Sequence, residues 1–219
     1  MLGRLLTVYG ALNRTFGFSI KPLFTFWLYI SFRTFATFTL WLDHLFFPGF
    51  KKVKLDRPVF IIGTPRSGTT FLHRFLEEHW SLACFQVWQM IMPSITGQKL
   101  LRPFIKPLAR FNPARHHASH AHETGLDAVE TDDALLSVRF IDGFFLYAWF
   151  LAWDDREHPR IFETLEADAP EVHRDLSFYT TCLKRNIHGS GKERVLGKPF
   201  IGTMRIESML NYFPDARFI

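Results

Sequence analysis

Residues 58–73 read PVFIIGTPRSGTTFLH. The stretch 58–63 is short, apolar and partly β-branched, with Pro58 before it and Gly63 closing it, which predicts a buried strand. The apolar pattern resumes at helical spacing over 69–79, with Phe71, Leu72, Phe75 and Leu76 predicted on one side. A buried strand that runs through a small-residue turn straight into a helix is the building unit of a parallel α/β sheet. The turn also has a chemical consequence. Backbone N–H groups of the turn and of the first helical residues converge on one spot, and the helix dipole favours an anion there. Gly63 and Gly68 permit close backbone approach. Thr64 and Pro65 shape the turn, Ser67, Thr69 and Thr70 add hydroxyls, and Arg66 adds a planar, permanently charged fork suited to oxyanions.

The natural comparison is the nucleotide-binding loop G-x-x-x-x-G-K-[ST], in which a Lys reaches the terminal phosphates. Gly63 and Gly68 keep its spacing, but the next residue is Thr69, and the cation lies earlier, at Arg66. A kinase or NTPase therefore lacks its main electrostatic tool here and stands as the first rival reading.

The rest of the chain fits the same architecture. LACFQVW, 82–88, reads as a second buried strand, and 195–201 and 216–219 as two more. Residues 93–122 form a Pro- and His-rich excursion. The segments 130–153, 170–187 and 203–212 read as helical. Strands alternating with helices predict a three-layer α/β domain with a central parallel sheet of the P-loop type over 58–219, preceded by a helical extension over 1–57.

That extension differs in kind. Residues 1–57 contain eight Lys/Arg and two Asp/Glu, whereas the remainder is close to neutral, so the chain's net charge of +5 belongs to its N-terminal quarter. The rest gives no sign of a nucleic-acid surface. The stretch KPLFTFWLYISFRTFATFTLWLDHLFFPGFKK is dense in Phe, Trp and Leu but interrupted by Arg33 and Asp43. Three readings stay open for residues 1–50: helices packed on the domain's own core, an interfacial anchor at the membrane with Lys51, Lys52 and Lys54 near headgroups, or a span. No secretory cleavage pattern is visible. Cys84 and Cys182 lie far apart without metal or disulfide spacing, which points to a reducing, cytoplasmic setting, peripheral at the membrane if the anchor reading holds.

PRSGTTFLH, 65–73, resembles the 5′-phosphosulfate-binding loop of sulfotransferases that use 3′-phosphoadenosine 5′-phosphosulfate (PAPS), in the Arg form of the bacterial families and of the tyrosylprotein sulfotransferases. FFPGFKKVKLDRPVFIIG, ETDDALL at 130–136 and GKPF…LNYFPDARFI at 197–219 are similar to the bacterial group as well. The resemblance implies a PAPS-dependent transferase with no metal, in which residues 64–70 hold the 5′-phosphate and Arg66 assists the leaving group. The aromatic excess favours a hydrophobic or lipid-like small-molecule acceptor.

The base that takes the acceptor's proton is harder to place. Relatives often carry a Glu after the second strand and before a Pro; here Gln86 and Gln89 precede Pro93, and glutamine takes no proton. Two sources remain: Glu130, with Asp132 and Asp133, in ETDD, and His117, with His116, His120 and His122, in HHASHAH. Each also has a plain alternative, a helix N-terminus for the acids and a solvated loop for the histidines. Lys198, in Gly197-Lys198-Pro199, is displaced by one place from the family's lysine, which on a strand would reverse its side chain. The family's segment for the 3′-phosphate follows the strand that here reaches Ile219. The expectation is that these residues are the N-terminal portion of a longer sulfotransferase or a truncated copy, since Arg139, Arg156, Arg160 and Arg174 offer no obvious replacement. A non-catalytic, membrane-associated relative is the second rival.

Overall fold

The computed structural model describes residues 2–64, 67–110, 125–140, 150–156 and 169–219. Within them four short strands form one parallel sheet: β1 (Val59–Phe60), β2 (Leu82–Ala83), β3 (Arg194–Gly197) and β4 (Arg217–Phe218), in the spatial order β2-β3-β1-β4. Val59 pairs with Leu196 and with Arg217, and Leu82 with Arg194. Hydrogen bonds extend β1 beyond its two paired residues, from Ile61 N–H to Gly197 O and from Ile62 N–H to Ile219 O.

The alternation of β1 side chains builds the layers. Val59 and Ile61 face one way and pack, with Leu196, against Leu72 and Leu76 of α3 (Thr69–His79). Phe60 faces the other way and lies at the centre of the main core, among Tyr179, Leu176 and Leu183 of α7 (Pro170–Ser190) and Phe213 and Phe218. A helix layer on each face of a parallel sheet is the arrangement expected from the strand–helix alternation.

Four local expectations are corrected. The 82–88 stretch is a strand only over Leu82–Ala83, because Gln86 starts a helix, α4 (Val87–Ile91), through a reciprocal capping box with Gln89. The 93–122 excursion begins with α5 (Ile95–Arg110), which carries Pro103 and Pro107. The strand at 195–201 stops at Gly197 and gives way to α8 (Phe200–Met204), followed by α9 (Ile206–Tyr212). The inner face of α3 is Leu72, His73 and Leu76, while Phe71 is 77% exposed; a periodic apolar run gives a face only once its partner is known. The helix of the 130–153 stretch is α6 (Asp133–Phe140) among the described residues.

The N-terminal segment forms α1 (Leu2–Phe16) and α2 (Lys21–Phe46), then a 3-10 turn over Pro48–Lys52. Among the described residues no helix is long and apolar enough to cross a membrane. A buried carboxylate is one of the contacts that join the inner side of α2 to the body. Asp43, fully buried, accepts a hydrogen bond from Arg185 Nε of α7 at 2.8 Å and from the Ile95 and Thr96 N–H groups that open α5, at 3.0 and 2.8 Å. Arg185 also lies over the Phe50 ring, 4.1 Å from its centre. A charge and a helix N-terminus compensate this carboxylate together.

Candidate active site

The C-terminal ends of β1 and β3, which are neighbours, lie side by side, and the loop after each reaches the same place. In parallel sheets this rim is where ligand sites form. After β1 the chain turns through residues 63–68 into α3. Gly68 sits at the N-cap with φ +84°, a left-handed conformation that explains a glycine there. Among the described residues no side chain caps the helix, so the first N–H groups of α3 are available to an external acceptor. The turn is held from within by Ser67, whose Oγ donates to Thr64 O at 2.7 Å. Thr203, from α8, anchors Gly63: its Oγ1 accepts from Gly63 N–H at 2.9 Å. A Cβ on Gly63 would come within 3.1 Å of both Ser67 Oγ and Thr69 Cγ2, so the hollow has no room for a side chain at that point. These features suit a bound anion such as a nucleotide phosphate. Pro65 and Arg66 lie outside the described residues.

After β3 comes Lys198. The strand ends at Gly197, so the one-place displacement does not turn the lysine away: its Nζ donates to Thr70 Oγ1 at 2.9 Å, in the first turn of α3. Glu130 lies beside it, with Oε2 at 3.8 Å from Lys198 Nζ and Oε1 at 3.6 Å from Arg74. Thus Thr70, Arg74, Glu130 and Lys198 meet at the rim. Lys198 is 6% exposed; burial pushes its pKa below the ordinary lysine value, and the Glu130 and Asp132 charges push it back up. His117 and its neighbouring histidines lie outside the described residues, and among the described residues no cluster of His, Cys, Asp or Glu could hold a metal ion.

Beneath the rim lies a second layer that the sequence did not reveal. Asp132 Oδ2 accepts from the Tyr179 hydroxyl at 2.5 Å and from Lys198 N–H at 3.0 Å, and Asp132 N–H donates to Lys198 O at 3.0 Å. This pins the backbone that carries Lys198. The carboxyl is fully buried, which pushes its pKa up to about 7 against the opposing effect of its hydrogen bonds. Asp133 and Thr131 extend the clamp: Asp133 accepts from Phe200 N–H at 2.6 Å, and Thr131 Oγ1 donates to Lys198 O at 2.9 Å. Of the acidic run, therefore, Glu130 faces the rim while Asp132 and Asp133 hold the β3–α8 turn. His73 is buried on the inner face of α3, and burial, with Lys198 and Arg74 nearby, lowers its pKa to about 3, so it is neutral. Both thiols are pushed up to about 12 by burial, which leaves neither Cys84 nor Cys182 as a ready nucleophile.

Arg74 had a signal that sequence reasoning passed over: it lies four residues after Thr70, on the same side of α3. Tyr179 had none, being 47 residues from its partner. Of the scattered arginines, Arg139 donates to Thr37 Oγ1 and Arg174 pairs with Asp175, both away from the rim; Arg160 lies outside the described residues.

The fold is similar to that of the sulfotransferase STF1 from Mycobacterium tuberculosis, with a TM-score of 0.64 and 17% identity, over 99% of this chain and 58% of that one. It is also similar to the sulfotransferase STF9 from Mycobacterium avium, with a TM-score of 0.57 and 19% identity, over 82% of this chain and 46% of that one. The chain thus spans about half the length of these proteins. No curated protein matches it. The sulfotransferase family model matches residues 58–219, from the start of β1 through the rim residues to the last strand, and on that match the chain belongs to the sulfotransferase family.

Proposed function

We propose that this chain binds PAPS at the β1–α3 loop and takes part in transfer of its sulfuryl group to a hydroxyl or amine of a hydrophobic small molecule. The observation that carries this reading is Lys198, held by Asp132 and Thr131 so that its ammonium meets Thr70 at the mouth of an uncapped helix. A cation is thereby restored to the loop from another strand, at a position a sulfuryl group would share with the 5′-phosphate. In the reaction the acceptor oxygen or nitrogen bonds to sulfur, and the bond from sulfur to the phosphate oxygen breaks. Negative charge grows on that phosphate oxygen. The N–H groups of residues 67–70 and the Lys198 ammonium are donors preorganised for it, and the Arg66 guanidinium is the further donor of this proposal. The acceptor's proton goes to Glu130 or to His117; Glu130 stands at the rim, and His117 lies outside the described residues.

Two measurements test the reading. Thermal melts with 3′,5′-ADP and with ATP separate it from a kinase or NTPase: 3′,5′-ADP at ~100 Kd stabilises by about 2.7 kcal/mol, and stabilisation by ATP alone would favour the rival. Mass-spectrometric detection of sulfated product from PAPS and a panel of apolar alcohols and amines then reads turnover. Arg66→Ala lowers turnover by about 10²–10³-fold with nucleotide binding retained; an unchanged rate removes Arg66 from the chemistry. Binding of PAPS without any turnover would favour a non-catalytic relative.

A further inference from the structure

We propose that the outer face of α2 is a docking surface for an anionic lipid bilayer, lying in its interface rather than crossing it. Phe24, Trp27, Phe38, Trp41 and Leu45 are each more than half exposed, and Leu23 nearly so. At 100° per residue these positions fall on one side of the helix. Phe24 stacks on Trp27, and Phe38 on Trp41, so the side chains cover the surface in pairs. At 1.5 Å per residue the 26-residue helix carries this stripe over about 39 Å. The opposite side, with Ala36, Thr39, Leu40 and Asp43, is buried, and its contacts with the body, among them Asp43–Arg185 and Thr39–Ser94, leave the aromatic side outward.

Charge selects the occupant. No charged residue lies within the stripe. Lys21 is exposed at one end of α2, and Lys51, Lys52 and Lys54 are exposed just past the other. The two acids of residues 1–57 are Asp43, which is buried, and Asp56. An apolar aromatic band with lysines at both ends matches a bilayer surface, with rings at the acyl boundary and ammonium groups among anionic headgroups. A second copy fits less well. Packing two stripes together, parallel or antiparallel, sets lysines against lysines at both ends. Arg33, midway along the helix, and the absence among the described residues of any helix apolar enough to span argue for lying flat.

The test uses the full chain and vesicles of phosphatidylcholine with and without phosphatidylglycerol. The expected result is co-sedimentation with the anionic vesicles, a blue shift of tryptophan emission, and weakening by salt. Trp27→Ser with Trp41→Ser lowers the partition coefficient by about tenfold or more, and Lys51→Glu with Lys52→Glu lowers it on anionic vesicles alone. These side chains are exposed, so melting temperature and 3′,5′-ADP binding serve as controls for folding and for the separate proposal about the loop. No binding to anionic vesicles, or binding that the tryptophan substitutions leave unchanged, overturns the inference. So does self-association in sedimentation velocity that the tryptophan substitutions abolish, since the stripe would then be the contact between copies.

Discussion

Asp43 and Asp132 are both removed from water, yet their surroundings differ. Asp43 joins α2, α5 and α7 and is met by a guanidinium and two helix-opening N–H groups. Asp132 lies under the rim and is met by neutral donors only, a phenol and a backbone N–H, while its Oδ1 has no partner among the described residues. A buried carboxylate matched by a cation is a fixed charge that ties elements together; one matched by neutral groups takes up a proton more readily. The first kind ties α2 to α5 and α7. The second positions the lysine of the candidate site and makes that site sensitive to pH.

The sharpest way to break this contrast is Asp43→Ala. It strands Arg185 as an uncompensated buried charge, and urea unfolding should show a loss of about 3–5 kcal/mol; a loss below about 1 kcal/mol would mean water reaches the junction. Next comes Lys198→Met, which keeps the apolar stem and removes the ammonium. Turnover should fall by about 10²–10³-fold while the urea midpoint changes little, so a large stability loss with normal turnover per folded molecule would make Lys198 a structural residue. A smaller effect follows from Gly197→Ala. The new Cβ would collide with the Tyr179 hydroxyl and come within 2.8 Å of Asp132 Oδ2, costing about 1–3 kcal/mol in chemical denaturation; a neutral outcome would mean the Asp132–Tyr179 pair yields easily.

The most specific effect concerns pH. The Asp132 carboxyl has its pKa raised from 3.8 to about 7 on folding. The folded state therefore holds a proton that the unfolded chain has released between those values. The contribution of this group to stability is complete below about pH 4 and is lost as pH rises through about 7. Asp132→Asn should flatten that slope. An unaltered slope in the Asn variant would assign the pH dependence to other groups.

What the sequence determined is what is written in adjacent residues. The strand at Val59–Phe60, within the 58–63 stretch, the helix over 69–79 and the left-handed Gly68 before it follow from local rules of sterics and helix termini. The parallel α/β layering was legible for the same reason, since strand–helix alternation leaves few ways to bury both faces of a sheet. The tertiary structure alone decided the rest. Whether Lys198 faced the loop depended on where β3 ended, and that was set by Asp132 and Tyr179, which reach it from distant segments. Which face of α3 was buried depended on the neighbouring sheet, so His73 went inside and Phe71 outside. The aromatic residues of α2 were plain in the sequence, but contacts of its inner side with distant segments, such as Asp43 with Arg185, 142 residues away, and Thr39 with Ser94, determined which of them face outward. Local pattern specifies backbone conformation, whereas burial and protonation belong to side chains brought together across the chain, and no window of sequence contains both partners.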